Sequence, residues 1–314
     1  MRSVLIRSFG GPEVVELAGA MPEPRPGPGQ VLVRVAAAGV NPADWRIRAG
    51  EVHRLGEPPL GLGLDVAGTV VAGTAEGGRF RAGDRVFGVV APPQGSFAEY
   101  VAVPETALAL TPDGLEDTEA AALPVAGLTA WQALAGAARV LAGERVLVHA
   151  AAGGIGHLAV QIAKAHGAHV VGTAGTANQA FLRALGVDEA VDYRTTDVFA
   201  RPDRFDVALD PISGTNALRS LDLLRPGGRL VDVRGTGPDR TELRERAAAR
   251  GMELTELYFR PDAADLDALA GLAARGALRP RLGRVLPLER AAEALAEVER
   301  GHARGKVVLT VAAG

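Results

Sequence analysis

The feature that most constrains the fold is a glycine-rich turn between a predicted strand and a predicted helix. Residues 145–173 read RVLVHAAAGGIGHLAVQIAKAHGAHVVGT. The first apolar run predicts a strand that ends near His149, and apolar residues then recur from Ile155 onward at the i, i+3, i+4, i+7, i+8 spacing of one helix face. Glycine lets a bound group approach the backbone, and a helix N-terminus favours negative charge, so this order of elements predicts a pyrophosphate site. The glycines of the turn are Gly153, Gly154 and Gly156.

Strands and helix-length segments alternate across residues 121–262. This alternation predicts a parallel sheet with helices on both faces, as in a doubly wound nucleotide-binding domain. The strand candidates are RVLVHA, AHVVGTA, EAVDY, FDVALD, GRLVDVRG and MELTELYF, and the helical segments are 155–166, 178–185, 214–225 and 240–250.

The first 120 residues have a different pattern of apolar residues. Short apolar runs broken by glycine and proline predict an irregular, mostly antiparallel β domain over residues 1–120. The proline-rich stretch 22–30 is interpreted as a rigid surface loop rather than an interdomain linker, because strand-like runs flank it directly. Two amphipathic segments and a final apolar run, KVVLTVA, follow residue 262, and we expect residues 263–314 to complete the first domain. The predicted fold class is therefore α/β with two domains.

Charge and composition narrow the possible partners. The 314 residues include 34 Lys+Arg and 37 Asp+Glu, a net charge of -3, so no global positive field attracts nucleic acid or an anionic membrane. Without cysteine, redox chemistry requires a bound cofactor. No apolar run approaches the roughly 18 residues of a spanning helix, and we expect no secretory signal at the N-terminus. We expect a cytoplasmic protein with a small-molecule substrate.

The choice of nicotinamide cofactor is predicted from the end of the second strand of the alternating region. An NAD-preferring fold places an acidic residue there, about 20 residues after the turn, but residues 171–179 read VGTAGTANQ. This favours NADPH over NADH. Tyr193 and Arg194 follow the third strand and could reach the same pocket, although Arg194 equally fits a solvated surface residue. The neutral donors in the segment are Thr173, Thr176 and Asn178.

Eight motifs occur in an order that resembles the medium-chain dehydrogenase/reductase superfamily, in particular its zinc-independent quinone oxidoreductase and zeta-crystallin branch. The resemblance extends from about residue 1 to residue 310. The motifs are GVNPADWRIRAG (39–50), GLDVAGTV (63–70), GDRVFG (83–88), GSFAEY (95–100), LPVAGLTAWQAL (123–134), VLVHAAAGGIG (146–156), LRPGGRLV (224–231) and GKVVL (305–309).

The resemblance implies a GroES-like substrate domain built from both chain ends, a Rossmann domain between them and catalysis in the cleft. It implies that Asn41 faces the nicotinamide and substrate, that Thr129 approaches the nicotinamide and that Lys306 closes the cofactor cleft. It also suggests a homodimer. The implied cofactor contacts are Ala152, Gly154 and Ile155 at the pyrophosphate, Thr173, Asn178 and Tyr193 at the adenosine phosphate, and Val233 and Gly235 at the nicotinamide ribose.

Two departures from the family pattern affect the expected chemistry. Zinc-dependent relatives have cysteine within the segment 40–44 and a His-Glu pair where this chain has Leu64 and Asp65, so we expect no metal. The lysine that often binds the 2′-phosphate is absent near Asn178. The resemblance implies hydride transfer from NADPH to a quinone or an activated alkene such as an enone. An NADPH-binding structural or sensor protein with little turnover is the alternative.

Three other titratable residues are interpreted as structural. His149 ends a buried strand, which favours a packed histidine. Asp65 is predicted in a glycine-rich turn, where carboxylates usually accept backbone amides. Asp44 shares the segment of Asn41, and we favour a structural role in that turn.

Overall fold

A computed structural model describes residues 1–52, 56–72, 78–202, 204–233, 239–301 and 303–312. The chain divides into two compact units. The first unit comprises Met1–Leu128, Pro261–Gly276 and Pro280–Gly314, and the second comprises Thr129–Arg260 and Ala277–Arg279.

The first unit is mainly antiparallel β structure. The boundary between the units falls within α3. The elements from the N-terminus through α3 are β1 (Ser3–Ile6), β2 (Val15–Ala18), β3 (Gln30–Val40), α1 (Pro42–Arg48), β4 (Leu60–Gly61), β5 (Asp65–Ala72), β6 (Arg85–Val89), β7 (Tyr100–Pro104), β8 (Leu108–Leu110), α2 (Asp117–Ala120) and α3 (Pro124–Trp131). One sheet has the order β2-β1-β4. A seven-stranded sheet begins with two C-terminal strands, β15 (Leu282–Pro287) and β16 (Lys306–Thr310), and continues with β3, β5, β6 and β8, while β7 also pairs with β3.

The second unit is a six-stranded parallel sheet with the order β11-β10-β9-β12-β13-β14. Apolar strands and helix faces form its core, which includes Leu147, Phe205 and Leu230. The direction of strand succession reverses between β9 and β12, where open α/β sheets bind ligands at the carboxyl ends of the strands. Its elements are β9 (Arg145–Val148), α4 (Gly156–Ala165), β10 (His169–Ala174), α5 (Gln179–Ala184), β11 (Glu189–Asp192), β12 (Phe205–Asp210), α6 (Thr215–Ser220), β13 (Leu224–Val233), α7 (Thr241–Ala249) and β14 (Glu253–Leu257).

The C-terminal part of the chain returns to the sheet of the first unit. Strand β16 pairs antiparallel with β3, and β15 pairs parallel with β16. The elements of this part are α8 (Ala263–Ala274), β15 (Leu282–Pro287), α9 (Ala291–Glu299) and β16 (Lys306–Thr310).

The predicted fold class is confirmed, although one predicted helix is shorter than expected. The segment 214–225 was predicted as one helix, but α6 ends at Ser220 and β13 already begins at Leu224. Pro226 explains the difference, because a proline disfavours helical backbone in the residue before it and cannot donate to a helix. Within the described ranges, no helix is both long and apolar enough to cross a membrane.

Candidate functional site

The turn between β9 and α4 is shaped by its backbone. Ala150 has a φ of 47°, and the Gly153 amide donates to the Ala150 carbonyl at 2.9 Å. A Cβ on Gly156 would lie 2.3 Å from the Ala150 oxygen, so glycine is required where α4 begins. The N–H groups at the start of a helix carry the positive end of the helix dipole, although here the His157 amide already donates to the Gly153 carbonyl at 3.1 Å. This turn can therefore bind a phosphate group.

All five predicted pyrophosphate residues lie together in this turn. The Ala151 amide donates to the Thr173 carbonyl at 2.9 Å, which ties the turn to β10. A tight backbone with a glycine that no side chain can replace is the form that a dinucleotide pyrophosphate needs, so the turn fits a nicotinamide dinucleotide. The five residues are Ala152, Gly153, Gly154, Ile155 and Gly156.

A second group of predicted residues lies at the carboxyl ends of β10 and β11. A Cβ built on Gly175 would lie 3.2 Å from Arg194 Nε and 3.3 Å from Tyr193 Oη, so both side chains cover this glycine. Tyr193 is 55% exposed, and Asn178 is half-buried in the short turn before α5. This edge therefore offers a phenol, an amide and a guanidinium group to a ligand.

Thr173 is placed differently from the other predicted residues of the adenosine edge. It is buried, and its hydroxyl lies 3.3 Å from His149 Nδ1 rather than in solvent. His149 Nε2 lies 3.0 Å from Ser220 Oγ, and burial lowers the pKa of His149. A neutral, buried histidine with two hydroxyl partners agrees with its interpretation as a packed residue.

Asp192 was not predicted, because an acid was expected only within residues 171–179. Asp192 ends β11, and a hydrogen bond from the Thr176 side chain is the main cause that lowers the pKa of its carboxyl group. The Arg194 amide also donates to Asp192 Oδ1 at 3.0 Å. A carboxylate thus lies at this edge after all, on the third strand of the unit rather than the second. The dipeptide Asp192-Tyr193 at the end of the EAVDY run was the available signal.

Three further residues were predicted to contact the cofactor, and they belong neither to the glycine-rich turn nor to the edge formed by Tyr193 and Arg194. Val233 is the last residue of β13 and is half-buried. Gly235 lies outside the described residues. Thr129 is buried in α3 and belongs to the second unit.

In the first unit, the structure brings together Asn41 and Lys306. The Lys306 ammonium group donates to Asn41 Oδ1 at 2.6 Å, to Asp65 Oδ2 at 2.9 Å and to the Val40 carbonyl at 3.1 Å. Lys306 is 3% exposed and Asp65 is fully buried. All three ammonium hydrogens of Lys306 therefore have protein acceptors.

Asp65 is the centre of this buried cluster and not a residue of a turn, as the sequence predicted. It is the first residue of β5. Its Oδ1 accepts the Val125 amide at 2.7 Å, as expected for a backbone partner, but its Oδ2 also accepts Asn41 Nδ2 at 2.9 Å and the Lys306 ammonium group. Gly39 makes this possible, since a Cβ there would lie 2.5 Å from Asp65 Oδ2.

The position of Asn41 is fixed from both sides. Its backbone amide donates to Asp44 Oδ2 at 2.7 Å at the start of α1, and its side-chain oxygen accepts from Lys306. One amide hydrogen of Asn41 is bonded to Asp65, and the second bonds to none of the described residues. Asn41 can therefore donate one further hydrogen bond but cannot act as an acid or base.

Asp44 is fully buried, and its Oδ1 has no hydrogen-bond partner among the described residues. Burial raises the pKa of Asp44 to about 7, and the nearby Asp65 charge also raises it. The Asn41 amide, the Lys306 charge and the Gly63 amide act in the opposite direction on this pKa. With Lys306 already paired to Asp65, Asp44 is the surplus carboxyl group of the cluster, which favours its protonated form.

Zinc does not fit these residues. The chain has no cysteine, and among the described residues no group of three or more His, Asp or Glu side chains could hold a metal ion. Both carboxylate oxygens of Asp65 already accept hydrogen bonds, from Lys306, Asn41 and Val125. The ammonium charge of Lys306 would also repel a divalent cation.

Comparison with known proteins assigns both parts of the chain to families. A family described as an alcohol dehydrogenase GroES-like domain matches residues 27–113, and one described as a zinc-binding dehydrogenase matches residues 185–309. A quinone oxidoreductase of Sus scrofa is 37% identical over 325 residues, covering 98% of this chain and 97% of the relative.

Solved structures extend this similarity to the fold. The structure of a quinone oxidoreductase from Coxiella burnetii has a TM-score of 0.91 at 33% identity and covers 99% of both chains. The CurK enoyl reductase has a TM-score of 0.89 at 25% identity, again over 99% of both chains. With a nearly full-length relative above one-third identity, the chain belongs to the zeta-crystallin-like quinone oxidoreductase branch of the medium-chain dehydrogenase/reductase superfamily and is an NAD(P)H-dependent oxidoreductase.

Proposed function

We propose that the protein is a zinc-independent reductase that uses NADPH to transfer hydride to a quinone or to an activated alkene such as an enone. The observation that supports this proposal is the buried cluster of Lys306, Asp65 and Asn41, in which the Asp65 carboxylate is paired with an ammonium group in a segment where zinc-dependent relatives bind the ion. Without a Lewis acid, the acceptor must already be electron-poor and must delocalise the charge of its reduced form. Quinones and enones meet both requirements.

The residues of the chain then act by binding and orientation. A bound reduced nicotinamide supplies the hydride. The turn at Gly153–Gly156 binds the pyrophosphate, and Asn41, held by Lys306 and Asp44, directs its second amide hydrogen to the acceptor carbonyl. Thr129 contacts the nicotinamide. The proton comes from solvent, because the Asn41 amide cannot act as an acid and the Asp44 carboxyl group is fully buried.

The preference for NADPH rests on the edge that Tyr193 and Arg194 form over Gly175. A guanidinium group suits a phosphate, because it is always charged and its N–H groups match phosphate oxygens. Arg194 thus takes the role of the lysine that is missing near Asn178. Asp192 opposes this preference, but the Thr176 side chain and the Arg194 amide already engage its carboxylate.

A titration of NADPH and NADH against the wild type and two variants tests the preference. Arg194→Gln should weaken NADPH binding by about tenfold, the value of one charged hydrogen bond, and leave NADH binding unchanged. Arg183→Gln is the matched control, since Arg183 is an exposed arginine of α5. A wild type that binds both cofactors equally would refute the preference.

Metal analysis and an acceptor screen test the rest of the proposal. The purified enzyme should contain no stoichiometric zinc and should retain its activity in chelator. NADPH oxidation should be observed with at least one member of a panel of quinones and enones. Zinc-dependent activity would contradict the assignment of the Lys306 cluster, and a complete lack of turnover would favour a binding protein.

A further inference from the structure

The second unit contains a buried ion pair at the carboxyl edge of its sheet. Asp232 lies one residue before the end of β13, and Arg240 directly precedes α7. Arg240 Nε donates to Asp232 Oδ2 at 2.7 Å, and the two side chains are 4% and 0% exposed. The pair therefore links the end of a strand to the beginning of the next helix without access to water.

Ser213 extends this pair into a closed ring of three side chains. Its hydroxyl donates to Asp232 Oδ1 at 2.6 Å and accepts from Arg240 Nη2 at 3.1 Å. Ser213 follows β12 and has a φ of 68°, a left-handed conformation that is unfavourable for a residue other than glycine. The ring of Ser213, Asp232 and Arg240 thus fixes a strained residue after β12 against the end of β13.

Asp210 holds the same segment from its other end. As the last residue of β12, it accepts the Ile212 amide at 2.7 Å and the Ser213 amide at 3.2 Å on Oδ1. Its Oδ2 accepts Asn216 Nδ2 at 3.0 Å. Residues 211–214 are therefore fixed by hydrogen bonds from both adjoining strands.

Such a ring is a poor device for stability alone. The free energy needed to remove two charges from water offsets much of their mutual attraction. A protein with apolar residues of similar size in place of the pair is therefore often as stable or more stable. A buried ion pair that also binds a hydroxyl group does, however, hold its three side chains in one arrangement, because each hydrogen bond has a preferred direction. The ring lies beside the point where strand order reverses, which is where open α/β sheets bind their ligands.

We propose that the ring of Ser213, Asp232 and Arg240 positions residues 211–214 to receive the nicotinamide half of the cofactor. This inference rests on the proposed use of NADPH. The adenosine edge of Tyr193 and Arg194 lies on β10 and β11, and the pyrophosphate turn follows β9. The other half of the dinucleotide then extends over β12 and β13, where the ring lies. Arg240 and Asp232 are positioning residues, since they act through residues 211–214.

Two nucleotide probes separate positioning from a purely structural role. NADPH contains the nicotinamide half, whereas 2′,5′-ADP contains only the adenosine half with its phosphates. Ser213→Ala and Arg240→Met should each weaken NADPH binding by about tenfold, the value of a hydrogen bond to a charged group, and leave 2′,5′-ADP binding unchanged. The fluorescence of bound NADPH should also change, because it reports the surroundings of the nicotinamide ring. Arg244→Met is the control, since Arg244 lies on α7, the helix that Arg240 precedes, and pairs with Glu256 of β14.

The outcomes distinguish this inference from the proposed function. Equal weakening of both probes would show that the ring supports only the fold, and no change in either would also overturn the inference. If the wild type binds 2′,5′-ADP but not NADPH, the proposed cofactor fails together with the ring. Should Arg240→Met not fold because it leaves Asp232 buried without its cation, Ser213→Ala decides, since it removes only a hydroxyl group.

Discussion

The turn at Gly153–Gly156 and the cluster around Lys306 are built in opposite ways. The turn uses backbone groups from one short stretch of chain, and glycine is needed where a side chain would meet the Ala150 carbonyl. The cluster uses side chains from distant segments, since Lys306 is separated from Asn41 by 265 residues. A backbone site depends on the absence of side chains, whereas the cluster depends on charges that must neutralise each other.

This difference determines how each region responds to change. In the turn, a small added group is harmful because the backbone has no room to move. In the cluster, loss of one charge is harmful because its partner stays buried without compensation. Variants that add a group to the turn or remove a charge from the cluster test the comparison.

The largest effect is expected for Lys306→Met. The change leaves the Asp65 carboxylate buried with only neutral donors, which should lower the free energy of unfolding by about 3 to 5 kcal/mol. Urea unfolding with Asp65→Asn and the double variant as controls measures this cost. The double variant should recover part of the stability, because it leaves no unpaired charge. A loss below about 1 kcal/mol for Lys306→Met, typical of a surface pair, would contradict the burial of the cluster.

A smaller effect is expected for Gly156→Ala in the turn. The new Cβ would lie 2.3 Å from the Ala150 oxygen and 2.7 Å from Ala151 Cα. Since backbone atoms must shift, cofactor affinity should fall by about a hundredfold, equivalent to about 3 kcal/mol. Gly136→Ala is the matched control, because a Cβ there meets no atom within 4 Å. Isothermal titration with the cofactor provides the measurement, and equal affinities for the two variants would show that the turn tolerates side chains.

The smallest of the three effects concerns Asp44 and pH. Its pKa of about 7 in the folded protein lies above the ordinary value of 3.8, so between these two values the folded state binds more protons than the unfolded state. Stability from this group is therefore full below about pH 4, falls as the pH rises towards 7 and is lost above it. Between pH 5 and pH 7 the fall is about 2 to 3 kcal/mol.

Asp44→Asn isolates this contribution, because asparagine has the same shape and does not titrate. The difference in unfolding free energy between wild type and variant should change with pH in the direction given above. Asp65 and Lys306 face Asp44 in the same cluster and are unchanged in the variant. A pH-independent difference would mean that Asp44 keeps its ordinary pKa in the folded protein.

The sequence predicted those parts of the protein that depend on residues close together along the chain. Apolar runs alternating with helical segments identified all six parallel strands, and the glycine spacing after β9 located the turn that precedes α4. The burial of Thr173 was not predictable, since the direction of a side chain at the end of a strand depends on what packs around it. Asp192 was overlooked for a related reason. Its carboxylate meets Thr176 only because β10 and β11 end at the same edge of the sheet.

By itself, then, the sequence determined the α/β class and the glycine-rich turn between β9 and α4, because both follow from periodicity and from the conformational freedom of glycine within a few residues. Only the tertiary structure decided that Asp65 binds Lys306 and Asn41, and that Ser213, Asp232 and Arg240 form a ring. The physical reason is that a buried charge needs its partner within hydrogen-bond distance, and strand pairing selects that partner, as when β16 aligns beside β3. No spacing along the chain encodes that distance.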